Sequence, residues 1–394
     1  MNTKFYKRTF ITFFLFITTL VTLALIILPS MIDRKMNPVT EHLPFRIPND
    51  VKEFHKTLII GDWHADSTLW NRNLINEYDY GHVDIPRLQR GNVAIQMFTT
   101  VTKSPAGQNY KRNKTDARDN ITALAIVQGW PIKTWNSLFA RAVYQSNKIH
   151  DLALGDPTNF MLITSQQDIK TLLSRRKNNP KIIGGLIGTE GSHALDGELS
   201  NIEKLYDQGF RMMSLQHFFD NKLGGSLHGT SNMGLTEFGS EAIAEMLRLK
   251  IIIDVSHSSE NVVNDVLKIT NQPIVISHTG FDGYCKSPRN ISDSLMIEIA
   301  NKGGLIGVGF WDAAVCDNTP KAVAEAIFYG VNLIGPEHVS LGSDFDGTIT
   351  PGFDTSELQA ITYELLELGL SKPSIRKVMG GNMLKFLQQN LPEK

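Results

Sequence analysis

Apolar residues are distributed along the chain in three ways. Residues 10–29 form a single uncharged run, FITFFLFITTLVTLALIILP. At about 1.5 Å of rise per residue it spans roughly the 30 Å hydrocarbon core of a bilayer. Further on, short runs rich in Ile and Val recur at 57–61, 93–98, 182–187, 210–215, 251–254, 273–277, 305–309 and 339–342. They are continuous rather than alternating, which is the pattern of strands buried on both faces of a parallel sheet. Between them lie stretches with helical spacing. Thr236 is placed to cap a helix carrying Ile243, Met246 and Leu247, and Ser292 to cap one through Ile297 and Ile299 that Gly303 and Gly304 end. Residues 320–334 and 356–370 read as two more helices.

Eight strands alternating with helices predict an α/β chain folded as a (β/α)8 TIM-type barrel, with a doubly wound open sheet as the alternative. The interval 99–181 is longer than one crossover, so it predicts an inserted helical region that includes 117–127 and 135–150. The expected organisation is a short cytoplasmic tail over 1–9, a transmembrane signal-anchor over 10–30, a linker over 31–50 containing three prolines, and one domain over 51–394. Leu28-Pro29-Ser30-Met31 is a poor cleavage site, which favours an uncleaved anchor over a removed signal peptide. Lys4, Lys7 and Arg8 precede the span, and Arg34 and Lys35 come after it. That small asymmetry predicts a single-pass protein whose main body is extracytoplasmic, periplasmic or extracellular.

Charge excludes one class of function. The 39 Lys+Arg and 40 Asp+Glu give a net charge of -1, and five of the bases lie before residue 36. The body is mildly acidic, which excludes a general nucleic-acid binder, whose affinity comes from neutralising phosphates. The two cysteines, Cys285 and Cys316, are too few for a disulfide scaffold or a Cys-rich zinc site. They read as two unpaired buried thiols, with a single bridge as the alternative.

The candidate chemistry lies at the C-terminal end of each strand. His64 and Asp66 come after the first run, Glu190 after the third, His217 after the fourth, His257 after the fifth and His278 after the sixth. Trp311 and Asp312 come after the seventh run, and Asp344 and Asp346 after the eighth. In a parallel barrel all of these positions open onto the C-terminal mouth, where active sites sit. Imidazole and carboxylate are suitable ligands for Zn²⁺ and its neighbours. His64-x-Asp66 offers two ligands on one side of an extended segment, Glu190 is placed to bridge two ions, and His257 and His278 are placed to serve the second. Each has a plainer reading. A lone His-x-Asp is commonly incidental, His257 could be a satisfied histidine at a helix start, and Asp344 and Asp346 could be turn or cap residues. The joint placement after successive strands favours the metal reading. His82, His193 and His228 read as structural or supporting residues, and His55, His150 and His338 as surface or packing residues.

Taken together, several motifs make the chain resemble the renal (membrane) dipeptidase family of binuclear zinc dipeptidases, over about residues 57–388. They are Asp62-x-His64-x-Asp66, Gly81-His82-Val83-Asp84-Ile85-Pro86-Arg87-Leu88, Gly188-Thr189-Glu190-Gly191-x-His193, Ile253-Asp254-Val255-Ser256-His257, Ile276-Ser277-His278, Pro288-Arg289-Asn290 and Gly342-Ser343-Asp344-Phe345-Asp346-Gly347. The resemblance implies two Zn²⁺ ions per chain. His64 and Asp66 would bind the first, His257 and His278 the second, and Glu190 both. It implies a hydroxide shared between the ions as nucleophile, His217 as the substrate-side residue that steadies the tetrahedral intermediate, and Asp344 as the proton shuttle. Arg289 would clamp the substrate's terminal carboxylate. The implied partners are a dipeptide substrate and, as the family often dimerises, a second copy of the chain. Ala65 and Ser192 stand where the family often has asparagine and glycine, and Phe218 and Phe219 are bulkier than the family's residues there. These departures bear on the substrate, so the alternatives are a related binuclear-metal hydrolase or tailoring enzyme for a peptide-derived small molecule, and a non-catalytic tethered binding protein.

Overall fold

The computed structural model describes residues 3–394. Met1 and Asn2 of the expected tail, and the side chains of Lys4 and Arg8 on which its orientation rests, lie outside the described residues. The first helix is Thr3–Met36, and its Thr9–Met36 stretch is long and apolar enough to cross a membrane, with a mean hydropathy of 2.7. Thr18, Thr19 and Thr22 turn their hydroxyls back onto carbonyls four residues earlier, so they need no water. Residues 31–36, expected in the linker, are instead the last turns of this helix, because Pro29 is accommodated within it.

Nine parallel strands make up the sheet: β1 (Ile60–Ala65), β2 (Val93–Val101), β3 (Phe160–Leu162), β4 (Ile183–Glu190), β5 (Phe210–Ser214), β6 (Ile252–Asp254), β7 (Val275–Thr279), β8 (Leu305–Val308) and β9 (Val339–Leu341). Eight of them close a barrel, with β9 pairing with β1 and β4 pairing back onto β2. The open-sheet alternative is therefore excluded. The extra strand, β3, pairs only with the first half of β4. It belongs to the long insertion, which also carries helices Asn120–Val127, Leu138–Gly155 and Gln166–Arg176.

Side-chain alternation builds the interior. Met97, Leu186, Met212, Ile252, Val275 and Leu305 join one buried apolar cluster, while their strand neighbours Phe98, Ile187, Met213, Ile253 and Ile276 join another that packs under the outer helices. The C-terminal helix Asn382–Asn390 supplies Met383, Phe386 and Leu387 to the inner cluster. Because that cluster includes the first residues of β6, β7 and β8, the helix closes the barrel floor. Two residues further up each strand the same inward face becomes polar: Thr99 above Met97, Ser214 above Met212, Asp254 above Ile252 and Ser277 above Val275. Four residues above Leu186, past Gly188, stands Glu190. The strand period of two thus carries the chain from an apolar plug to a polar mouth.

The cysteine expectation is overturned. Cys285, in the loop after β7, and Cys316, after the short helix beyond β8, form a disulfide with a Cα–Cα separation of 5.5 Å. The two loops leave adjacent strands at the same end of the barrel, a proximity that a sequence separation of 31 conceals.

Candidate metal centre and active site

At the mouth, four imidazoles surround one carboxylate. Glu190 Oε1 lies 3.6 Å from His64 Nε2, 3.4 Å from His217 Nε2, 3.3 Å from His257 Nε2 and 3.5 Å from His278 Nε2. Asp66 and Asp344 approach His64 Nε2 at 3.5 and 3.9 Å. All of these side chains are nearly or wholly buried. Arg289 is buried beside them, with Nη2 3.5 Å from His257 Nε2 and donating to the His278 carbonyl at 2.8 Å. All eight site residues expected from sequence therefore converge. Asp312 does not: it is exposed and bonds to the next backbone N–H. Asp346 does not either, being taken by Arg72 at 2.7 Å.

The orientation of the histidines is set from beneath. Ser277 Oγ donates to Asp254 Oδ2 at 2.7 Å, so its lone pairs are left to accept. His64 Nδ1 and His278 Nδ1 each lie 3.0 Å from that same oxygen. Both rings therefore carry their proton on Nδ1 and turn an Nε2 lone pair toward Glu190. His217 Nδ1 faces the Lys103 carbonyl at 3.1 Å, which fixes its proton in the same way. Thr99 Oγ1 holds Asp66 Oδ1 at 2.6 Å. The backbone of His257 has φ at 60°, a left-handed value uncommon for residues with a side chain.

This donor set fits divalent cations. Among the described residues the Nε2 of His64 has no hydrogen-bond partner, and His257 Nε2 and His278 Nε2 stand 2.9 Å apart. Among the described residues, two groups have ligand atoms within 4.8 Å of one another: His64, Glu190, His278 and Asp344, and Glu190, His217 and His257. This grouping differs from the one implied by resemblance, in which His257 and His278 share an ion. Burial, reinforced by Asp66 and Asp344, pushes the Glu190 carboxyl well up. Burial also pushes Asp344 up to about 8. Burial, with Arg289 and neighbouring imidazoles, holds His257 and His278 well below the usual histidine range. Burial alone would lower His64 too, but Asp66, Asp344 and Asp254 together outweigh it and the net shift is upward. Protein charge alone thus leaves buried carboxyls that would sooner be neutral; a divalent cation would keep them ionised.

A cavity of about 200 Å³ opens over Glu190, His217, His257, Arg289 and Asp344. Its walls include Leu69, Val101, Tyr110, Ile121, Phe218 and Ile349. That size suits a molecule of a few residues. Tyr110 comes from the insertion after β2, and its hydroxyl accepts from Trp311 Nε1 at 3.0 Å. Sequence reasoning does not single out Tyr110, Thr99 or Ser277. For Thr99 and Ser277 the signal available is a polar residue within or just beyond an Ile- and Val-rich run; Tyr110 lies too far past one to carry it.

Comparison with known proteins gives a consistent result. The family model described as membrane dipeptidase (peptidase family M19) matches residues 49–393. The dipeptidase aclJ of Aspergillus oryzae is 28% identical over 352 residues, covering 83% of this chain and 76% of that protein. Among solved structures, a metallo peptidase from Rhodobacter sphaeroides liganded with a phosphinate mimic of the dipeptide L-Ala-D-Ala superposes with a TM-score of 0.67 at 22% identity, over 85% of this chain and 99% of that one. The probable dipeptidase PvdM from Pseudomonas aeruginosa reaches a TM-score of 0.72 at 19% identity, over 87% and 98%. At those identities the two structures establish the fold.

Proposed function

The chain belongs to the membrane dipeptidase family, peptidase family M19, and on that premise we propose that it hydrolyses dipeptides with two zinc ions held by His64, Asp66, Glu190, His257 and His278. The observation that carries the proposal is the convergence of four Nε2 atoms on one oxygen of Glu190 at 3.3–3.6 Å. When bound, the ions supply Lewis acidity for the scissile carbonyl and lower the pKa of water toward neutrality. The chain's own residues do the rest. Arg289, with its Nε left without a partner, receives the substrate's carboxylate and limits substrates to those ending just beyond the scissile bond. Asp344, kept ionised by the cations, accepts the proton of the attacking water and returns it to the leaving amine.

His217 needs one further condition. Its Nδ1 proton is committed to Lys103, and burial lowers its pKa to about 4, so the neutral ring has no proton on Nε2 to donate. It steadies the tetrahedral oxyanion only as an imidazolium. The negative charge developing on the substrate favours that form. The apolar walls favour small or apolar side chains in the substrate.

Two independent features bear on location. The Thr9–Met36 helix is proposed to anchor the protein in a membrane, and the Cys285–Cys316 bridge supports an oxidising compartment for the body over 51–394. The test of the whole reading is a panel of L-L and L-D dipeptides, assayed with and without chelator, beside metal analysis of the same sample. Hydrolysis that chelator abolishes, with two zinc ions per chain, is expected. Full zinc loading with no hydrolysis of any dipeptide would instead favour a related metal-dependent hydrolase of another small molecule.

A further inference from the structure

The loop that carries Asp344 is held in an unfavourable backbone conformation. Asp344, Asp346 and Thr348 have φ of 61°, 63° and 63°. Residues with a side chain are uncommon in this region and persist there where the surroundings hold them. The clamps are identifiable. The Asp346 carboxylate accepts from Ser67 Oγ at 2.6 Å and the His82 N–H at 2.7 Å, and it pairs with Arg72 Nη2 at 2.7 Å. The Asp346 N–H donates to His82 Nδ1 at 2.8 Å. The Thr348 N–H donates to Asn37 Oδ1 at 3.1 Å.

Two of these clamps lead out of the barrel. Arg72 Nε donates to Asp33 Oδ2 at 2.8 Å, and Asn37 Nδ2 donates to Asp33 Oδ1 at 2.8 Å. Asp33 lies in the last turn of the N-terminal helix, and Asn37 is the residue after it. The Asp33 and Arg72 side chains are only 2% and 1% exposed, so this is a buried ion pair, whose disruption is costly because it leaves an uncompensated charge. By contrast, the neighbouring pair Arg34–Asp79 is 54% and 76% exposed, of the kind that contributes little.

We propose that the end of the N-terminal helix positions the active-site loop: Asp33 holds Arg72 onto Asp346, Asn37 holds Thr348, and Asp344 between β9 and these clamps is thereby aimed at Glu190. Asp33 and Asn37 are positioning residues. They touch neither substrate nor ligand atoms. The activity readout rests on the dipeptidase reading; the backbone readout does not.

The test uses the full chain in detergent or a nanodisc, with Asp33→Asn, Asn37→Ala, Asp33→Glu and, as control, Arg34→Gln. Asp33→Asn and Asn37→Ala should each lower kcat about tenfold, the scale found for outer-shell partners of active-site groups, with KM changed less than twofold. Asp33→Glu should recover part of the loss, and Arg34→Gln should behave as wild type. Amide hydrogen exchange should quicken over 344–349 in both damaged variants and stay unchanged in β2. Wild-type kcat with wild-type exchange over 344–349 would overturn the proposal, as would a loss of the same size in Arg34→Gln. Should Asp33→Asn fail to fold, Asn37→Ala, which removes no charge, decides alone. A wild-type chain that cleaves no dipeptide would defeat the functional reading, and the exchange comparison would still decide this one.

Discussion

Replacing Arg289 with methionine keeps most of the side-chain volume and removes the guanidinium. The residue is 1% exposed, and the fold uses one of its nitrogens, Nη2, on the His278 carbonyl. Arg289 lines the cavity, and its Nε has no partner among the described residues. A substrate carboxylate placed there forms two charge-assisted hydrogen bonds, each contributing about 1.5–3 kcal/mol. Taking the lower value for both gives about 3 kcal/mol, or roughly 150-fold in kcat/KM. A C-terminal amide offers the guanidinium one acceptor oxygen instead of two, and one such bond of about 1.5 kcal/mol gives roughly 13-fold. Arg289→Met should therefore narrow the preference for a free dipeptide over its amide by roughly tenfold. The assay is kcat/KM for Ala-Ala and Ala-Ala-amide on both proteins, with metal content measured to exclude ligand loss through His278. An equal fall for both substrates at unchanged metal content would refute the carboxylate role.

Three other outcomes are expected. Glu190→Gln removes the charge on which four imidazoles converge, and should abolish hydrolysis while lowering bound zinc, read by metal analysis after dialysis. Removing the crosslink with Cys285→Ser and Cys316→Ser together frees a loop closed across a separation of 31 residues. Chain entropy puts that at about 4 kcal/mol, and for a body of this size it should lower Tm by about 5 °C, read by calorimetry. Lys148 donates to the Thr68 and Trp70 carbonyls, and burial lowers its pKa from 10.5 to about 7. Between those values the unfolded chain binds the extra proton, so this group's contribution to stability rises with pH from 7 to 10.5 and is least favourable below 7. The Tm of Lys148→Met relative to wild type should therefore fall as pH is raised from 6 to 10. A constant difference would show that Lys148 is charged in the folded protein throughout.

The barrel is legible in the sequence because its strands are buried on both faces, and each of the eight apolar runs overlaps one of its strands. Boundaries shift where function intrudes. The first run ends at 61, whereas β1 continues through Asp62 and His64 to Ala65. The third ends at 187, whereas β4 continues through Thr189 to Glu190. In both, polar side chains needed at the mouth break the apolar pattern that marks a strand. β3 escapes detection because three residues beside half of β4 leave little periodicity to read. The eight mouth residues are legible from their order after the strands and from the family resemblance. The contacts that order them are not. Asp254–Ser277 and Asp33–Arg72 are contacts over 23 and 39 residues, and no spacing rule reaches so far.

The segment after the N-terminal helix has a physical consequence for how this protein meets its substrate. Thr40 N–H bonds the Pro351 carbonyl, His42 pairs with Glu357, and Ile47 is buried against Val51 and Ala360. There is no slack between helix and barrel. If the helix lies in a bilayer, as proposed, the whole body drifts with its patch of lipid, and its opening stays near one height above the surface. Such an enzyme samples a thin sheet of fluid next to the membrane rather than the bulk, and peptides released at that surface meet it before they disperse.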